Sequence, residues 1–168
     1  QQKAVRFAAL VHDLGKAKTP QNEWPRHIKH EHRGVTIVNV LCDRLRVPGD
    51  YRDLAVLVTR EHLLMHRLAE LRPETALKLL NRLDGFRRPE RLDSFLAACR
   101  ADAAGRGDGT LGDYPQQPLL EKYFAAAKAV DLSDLADSPQ DGRARKKIVE
   151  ERRLDAISEI HQNRQAIC

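Results

Sequence analysis

The stretch Phe7-Ala8-Ala9-Leu10-Val11-His12-Asp13-Leu14-Gly15-Lys16 decides how this chain is read. A histidine and an aspartate stand side by side at the end of an apolar run. Gly15 then offers a left-handed position that can end a helix, and Lys16 follows at once. Two metal-competent side chains beside a lysine suit a divalent ion held next to a phosphate. Neighbours on a helix point about 100° apart, so His12 and Asp13 cannot close a metal site by themselves. The remaining ligands must come from elsewhere in the chain.

The histidine distribution supplies candidates. Six of the seven histidines lie between residues 12 and 66. His27 and His30 are three apart, while His62 and His66 are four apart, a spacing that puts two rings on one helical face. Asp102 stands directly before Ala103-Ala104-Gly105-Arg106 at the end of another helical pattern. A mixed His/Asp set suits Mg²⁺, Mn²⁺, Ni²⁺ or Zn²⁺, with oxygen ligands favouring the harder ions. Each element also has a plain structural reading: a hydrogen-bonded pair at a helix end, solvated histidines, a surface acid.

Around these residues the pattern is all-α. Leu, Ala and Arg are abundant, while β-branched and aromatic residues are sparse. Helices are expected over 3–14, 30–45 and 51–68. Pro73 and Pro89 open two more, the first stopped by Gly85 and the second ending near Ala104-Gly105. Further helices are expected over 119–130 and 143–164, after a Gly/Asp/Pro-rich loop at 105–118 and a polar connector at 131–142 containing Ser138-Pro139. Inward positions of the second helix are read as Val35, Val38, Leu41 and Leu45. At 168 residues this is one domain, or one domain with an appendage.

Charge and cysteines set bounds. A net charge of +5 permits a polyanionic partner without requiring one. Cys42, Cys99 and Cys168 form no CxxC pair, which suggests reduced thiols and a cytoplasmic location. No apolar run approaches a membrane span. The chain begins at Gln1, already inside a helical pattern, and reads as a piece of a longer protein.

Taken together, His12-Asp13-Leu14-Gly15-Lys16, Trp24-Pro25-Arg26-His27, His30 to Gly34, His62, and Ala101-Asp102 with Gly105-Arg106 resemble the HD-domain phosphohydrolases. Arg44-Leu45-Arg46-Val47-Pro48, Arg52-Asp53-Leu54-Ala55 and Asp113-Tyr114-Pro115-Gln116 are similar, more specifically, to the HD domain of bacterial multifunctional CCA proteins, which are tRNA nucleotidyltransferases. The resemblance implies an HD-domain helical bundle over 1–130, with the first helix of the family pattern missing. A polar connector and C-terminal helix over 131–168 would follow. It implies His12, Asp13 and Asp102 as metal ligands for Mg²⁺, Ni²⁺ or Mn²⁺. His30 and His62 match histidines used for a second metal or the phosphate, and with Lys16 they form the catalytic set. His27 and His66 match the relatives without an assignable role.

Two departures from the family pattern stand out. No histidine lies among the eleven residues before His12, where the family carries one, and nucleotidyltransferase carboxylate motifs are absent. The missing upstream helix would be expected to pack on a stripe of Val5, Ala8 and Val11.

The function implied is metal-dependent phosphoester hydrolysis, as a 2′,3′-cyclic phosphodiesterase and 2′-phosphatase in tRNA 3′-end maturation and repair. The partners implied are tRNA or phosphorylated RNA 3′ ends, 2′,3′-cyclic nucleotides, no membrane, and a homodimer as candidate assembly. The rival reading is a non-catalytic tRNA-binding or dimerisation module, with Arg87, Arg88, Arg91, Arg100 and Arg106 on phosphates. A nucleotide-hydrolysing HD enzyme acting on dNTPs or alarmones is a third, against which the CCA-like stretches argue. The run Arg143-Ala144-Arg145-Lys146-Lys147 invites an RNA-binding reading. Residues 131–168, however, hold seven Lys or Arg against eight Asp or Glu, so a solvated helix accounts for it better.

Overall fold

The computed structural model describes residues 2–106, 112–135 and 141–165. Ser138-Pro139, Cys168 and the 107–111 part of the expected loop lie outside the described residues. Seven α-helices and short 3-10 turns make up the secondary structure, with no strand among the described residues. The all-α expectation therefore holds.

Helix α1 (Gln2–Val11) packs on α3 (Gly49–His66) and α5 (Pro89–Gly105), burying Ala4, Ala8 and Val11. The stripe expected to await an upstream helix is thus already covered by the chain itself, since Ala8 is 0% and Val11 3% exposed. Of α1's apolar residues it is Leu10 that faces solvent. Helix α3 runs through the middle against α1, α2 and α5, and it buries residues on several sides, from Leu54 and Ala55 to His62 and Met65.

Helix α2 (His30–Leu45) buries His30, Gly34, Val38 and Cys42, a strict i, i+4 row. The expected inward set was rotated from this: Val38 is buried and Leu41 packs at the core's edge, whereas Leu45 is exposed. The reason is steric, because the row that includes Gly34 permits the closest approach. The helix ends at Arg46 in the left-handed region (φ 51), whose N–H returns to Asp43 O.

Pro73 and Pro89 stand at the first turns of α4 (Pro73–Arg82) and α5, where a missing N–H costs nothing. Between them the left-handed residue is Asp84 (φ 57), not Gly85. Asp tolerates that conformation, and here its carboxylate receives the Arg87 guanidinium. Helix α6 (Gln116–Lys128) and α7 (Gly142–Gln165) pack together, with α7 also lying on α4. Ile157 is fully buried, the Arg153 guanidinium sits 3.7 Å from the Phe86 ring centroid, and Tyr123 Oη meets His161 Nδ1 at 3.0 Å.

The contact that places the His-Asp pair lies between a 3-10 turn, Leu14–Lys18, and α2. A Cβ on Gly15 would stand 1.9 Å from His30 O and 2.7 Å from Gly34 N. A Cβ on Gly34 would stand 2.7 Å from Thr59 Cγ2 of α3. Three elements are thereby layered through two glycines. Gly15 was expected as a left-handed helix end, but its φ lies outside that region, and close approach is what requires glycine there.

Gly15→Ala should therefore destabilise the protein by about 2 kcal/mol or more, because backbone rather than a flexible side chain blocks the methyl. Thermal unfolding should show a fall of roughly 5 °C or more, while Gly49→Ala, which meets nothing within 4 Å, leaves the midpoint nearly unchanged. Equal midpoints for the two variants would remove the layered contact as a constraint.

Candidate metal centre

His12 and Asp13 sit where α1 gives way to the 3-10 turn, Asp13 directly before it. His30 opens α2, His62 lies in the last turns of α3, and Asp102 lies near the end of α5. The fold brings all five to one place. His12 Nε2 is 3.4 Å from both Asp13 Oδ2 and Asp102 Oδ1. Asp13 Oδ1 is 3.0 Å from His30 Nε2 and 3.7 Å from His62 Nε2. The tightest grouping is His12, Asp13 and His62, with one ligand atom of each within 4.8 Å of the others. Asp102 joins through His12.

Backbone carbonyls set the tautomers. His12 Nδ1 donates to Ala9 O (2.8 Å), His30 Nδ1 to His27 O (2.9 Å), and His62 Nδ1 to Val58 O (3.1 Å) and Thr59 O (3.2 Å). A carbonyl can only accept, so each Nδ1 carries the proton and each neutral ring offers a bare Nε2. Those three Nε2 atoms and Asp13 Oδ1 are buried without a hydrogen-bond partner. Four unpartnered acceptors facing one space would each cost about 1–3 kcal/mol if left so. A divalent cation would satisfy those of His12, Asp13 and His62, and neutral imidazole with carboxylate is its donor set. The residues fit a metal.

Electrostatics separate two of the buried histidines, His62 and His12. Burial, and then the nearby His12, push the His62 pKa down to about 4, so the ring is neutral near pH 7. Burial works to lower that of His12, but Asp102, the Ala9 carbonyl and Asp13 outweigh it and raise it. Burial likewise opposes ionisation of Asp102, yet His12, His66 and Arg106 hold its carboxyl well below the usual range. For Asp13, burial is again overcome, here by Lys16 and His12.

The mouth of the site is cationic. A cleft of about 600 Å³ is lined by the cluster and by Lys16, Arg26, His27 and Arg106. Lys16 Nζ lies 2.5 Å from Asp13 Oδ2 and its side chain is 42% exposed. Arg106 forks onto Asp102. His27 is held by Thr19 Oγ1 at 2.5 Å. Of the arginines weighed for RNA contact, Arg87, Arg88 and Arg91 gather instead around Asp84.

Sequence reasoning left His66 without a role. Its Nε2 lies 2.6 Å from Asp102 Oδ2 and its Nδ1 2.9 Å from Tyr114 Oη. The four-residue spacing from His62 was visible, but nothing in the sequence ties it to Asp102.

A model of the HD domain family matches residues 1–104. The chain is 50% identical over 165 residues to the multifunctional CCA protein of Xanthomonas campestris pv. campestris, covering 96% of this chain and 39% of that protein. The multifunctional CCA protein of Nitrosococcus oceani is 50% identical over 161 residues, 95% of this chain and 40% of its own length. That of Vibrio campbellii is 45% identical over 153 residues, 91% of this chain and 38% of its own. The chain thus spans about two-fifths of the length of these curated relatives. No solved structure matches it. No helix among the described residues is long and apolar enough to cross a membrane.

The depressed pKa of His62 makes an acid-stability prediction. Between its ordinary 6.5 and about 4, the unfolded chain takes up a proton that the folded one refuses. Stability is therefore fully present above pH 6.5 and falls as pH drops through that window. The raised His12 pKa acts with opposite sign, and its effect is felt above 6.5. In chelator, the wild type should lose on the order of 1–2 kcal/mol between pH 7 and pH 5 by urea unfolding through His62. His62→Gln should show a flatter profile; matching slopes would disprove the assignment.

Proposed function

The chain belongs to the HD domain family, and from that premise we propose that it is a metal-dependent phosphohydrolase domain of a CCA-adding tRNA nucleotidyltransferase. Its reaction on this reading is hydrolysis of 2′,3′-cyclic phosphates and 2′-phosphates at RNA 3′ ends. The observation that carries the proposal is the convergence of three bare Nε2 atoms and Asp13 Oδ1, all buried and unpartnered, under a cationic cleft.

His12 and Asp13 would hold the ion with Asp102, which lies 3.4 Å from His12 Nε2; His62 groups with His12 and Asp13, and His30 abuts Asp13. Such an ion supplies Lewis acidity toward a phosphoryl oxygen and acidifies water near it, with Mg²⁺, Mn²⁺ or Ni²⁺ as candidates. Lys16, partly exposed on one ion pair, turns to a phosphoryl oxygen and offsets the charge that grows there. Arg26 and His27 line the same cleft and orient the remaining phosphate oxygens. His30 and His62, held by backbone carbonyls, keep their Nε2 lone pairs toward the reacting centre. Apolar lining from Ala9, Pro25, Leu63 and Ala101 stands beside the charged groups of the cleft. Partners on this reading are tRNA and phosphorylated RNA ends.

Asp13→Asn tests the centre. The amide keeps the shape and loses the charge, so hydrolysis of 2′,3′-cyclic AMP with Mn²⁺ or Ni²⁺ should fall by about 10²-fold or more while circular dichroism stays unchanged. Near wild-type turnover would defeat the catalytic reading.

Lys16→Ala separates phosphate contact from ion holding. Cyclic phosphodiesterase kcat/KM should drop by about tenfold or more, with Mn²⁺ affinity by calorimetry equal to wild type or higher, since Asp13 loses a competing cation. A parallel loss of affinity would instead make Lys16 a structural support of Asp13.

A further inference from the structure

We infer that His66 and Tyr114 are positioning residues that hold Asp102 for the metal, so that the segment after the matched 1–104 region helps to build the centre. This rests on the reading of Asp102 as a metal ligand.

The tautomer of His66 is what singles it out. His12, His30 and His62 all spend Nδ1–H on backbone carbonyls and leave Nε2 bare. His66 is the reverse. Its Nε2 lies 2.6 Å from a carboxylate oxygen that can only accept, so Nε2–H donates to Asp102 Oδ2. The neutral ring then has its lone pair on Nδ1, and the Tyr114 hydroxyl, 2.9 Å away, donates to it. A directed chain of hydrogen bonds therefore runs from Tyr114 through His66 to Asp102. Gln116 Nε2 donates to His66 O at 3.0 Å and ties the same segment to the end of α3.

The consequence falls on Asp102. Its Oδ2 receives His66 and Arg106 Nη2, both at 2.6 Å, and is spoken for. Oδ1 receives only Arg106 Nε at 3.1 Å and lies 3.4 Å from His12 Nε2. The carboxylate is thus turned with Oδ1 toward the cluster. The Arg106 side chain is 51% exposed, so water competes for its bonds, whereas the His66 side chain is 13% exposed. Orientation of Asp102 depends on the half-buried histidine. Partners of this kind that hold a metal ligand typically carry about 10–100-fold in affinity.

The test is calorimetric binding of Mn²⁺ to the full chain and four variants. His66→Ala should bind about 10–100-fold more weakly than wild type. His66→Gln, which keeps an N–H donor near the position of Nε2, should stay within a few-fold. Tyr114→Phe should weaken binding by about two- to tenfold, the worth of one hydrogen bond. Added to His66→Ala it should cost nothing further, because Tyr114 acts only through His66. Wild-type affinity in both His66→Ala and Tyr114→Phe would overturn the inference. So would an equal Tyr114→Phe loss in both backgrounds, which marks two separate packing effects. If His66→Ala does not fold, the Gln and Phe variants, which preserve shape, decide the matter in the same way. A wild-type chain that binds no Mn²⁺ would overturn the metal-centre reading itself.

Discussion

The closeness of the Leu14–Lys18 turn to α2 sets the geometry of everything around it. With hydrogen in place of a side chain at residues 15 and 34, the turn lies against the helix at backbone contact. Gly34 in turn lets α2 settle on Thr59 of α3. His12 and Asp13 are carried in by the turn, His30 lies on the carbonyl that Gly15 touches, and His62 lies one turn beyond Thr59. A methyl at either glycine would spread these layers, and ångström-scale spreading is enough to undo a metal site.

What those layers enclose is costly to a metal-free fold. Buried polar atoms ordinarily find partners, yet here four face one another without one. The helices fix this outcome by occupying each Nδ1 with a carbonyl three or four residues back. A fold selected for stability alone would have filled the space with apolar side chains. Local rules broken together at one spot are what is expected of a functional site.

Charge is layered in a similar way. Acceptors lie inside, Lys16 and Arg106 sit on the carboxylates at the rim, and Arg26 and His27 line the cleft beyond. On the proposed reading this gradient would draw an anion toward the ion-binding cluster. The remaining basic residues show how little net charge conveys. Arg87, Arg88 and Arg91 surround Asp84, and Arg152 is forked by Asp134, so several of the 29 Lys and Arg are held in local pairs.

Helix type and the proline-marked starts of α4 and α5 were legible from the sequence, and residue type made His12, Asp13, His30, His62 and Asp102 candidates, because periodicity, capping and residue type are local properties. The buried face of α2 was not, since the row through Gly34 wins by close approach rather than by hydropathy. Nor was the reason for Gly15, whose neighbour is a carbonyl fifteen residues on. The stripe on α1 looked available for a partner until α3 and α5 covered it. His66 and Tyr114 are 48 residues apart and meet only through the packing that brings their segments together. Sequence by itself determined which side chains can bind a metal. Tertiary structure alone decided that the bare nitrogens converge on one space and which nitrogen His66 presents, because the carboxylate against that ring belongs to Asp102, 36 residues away.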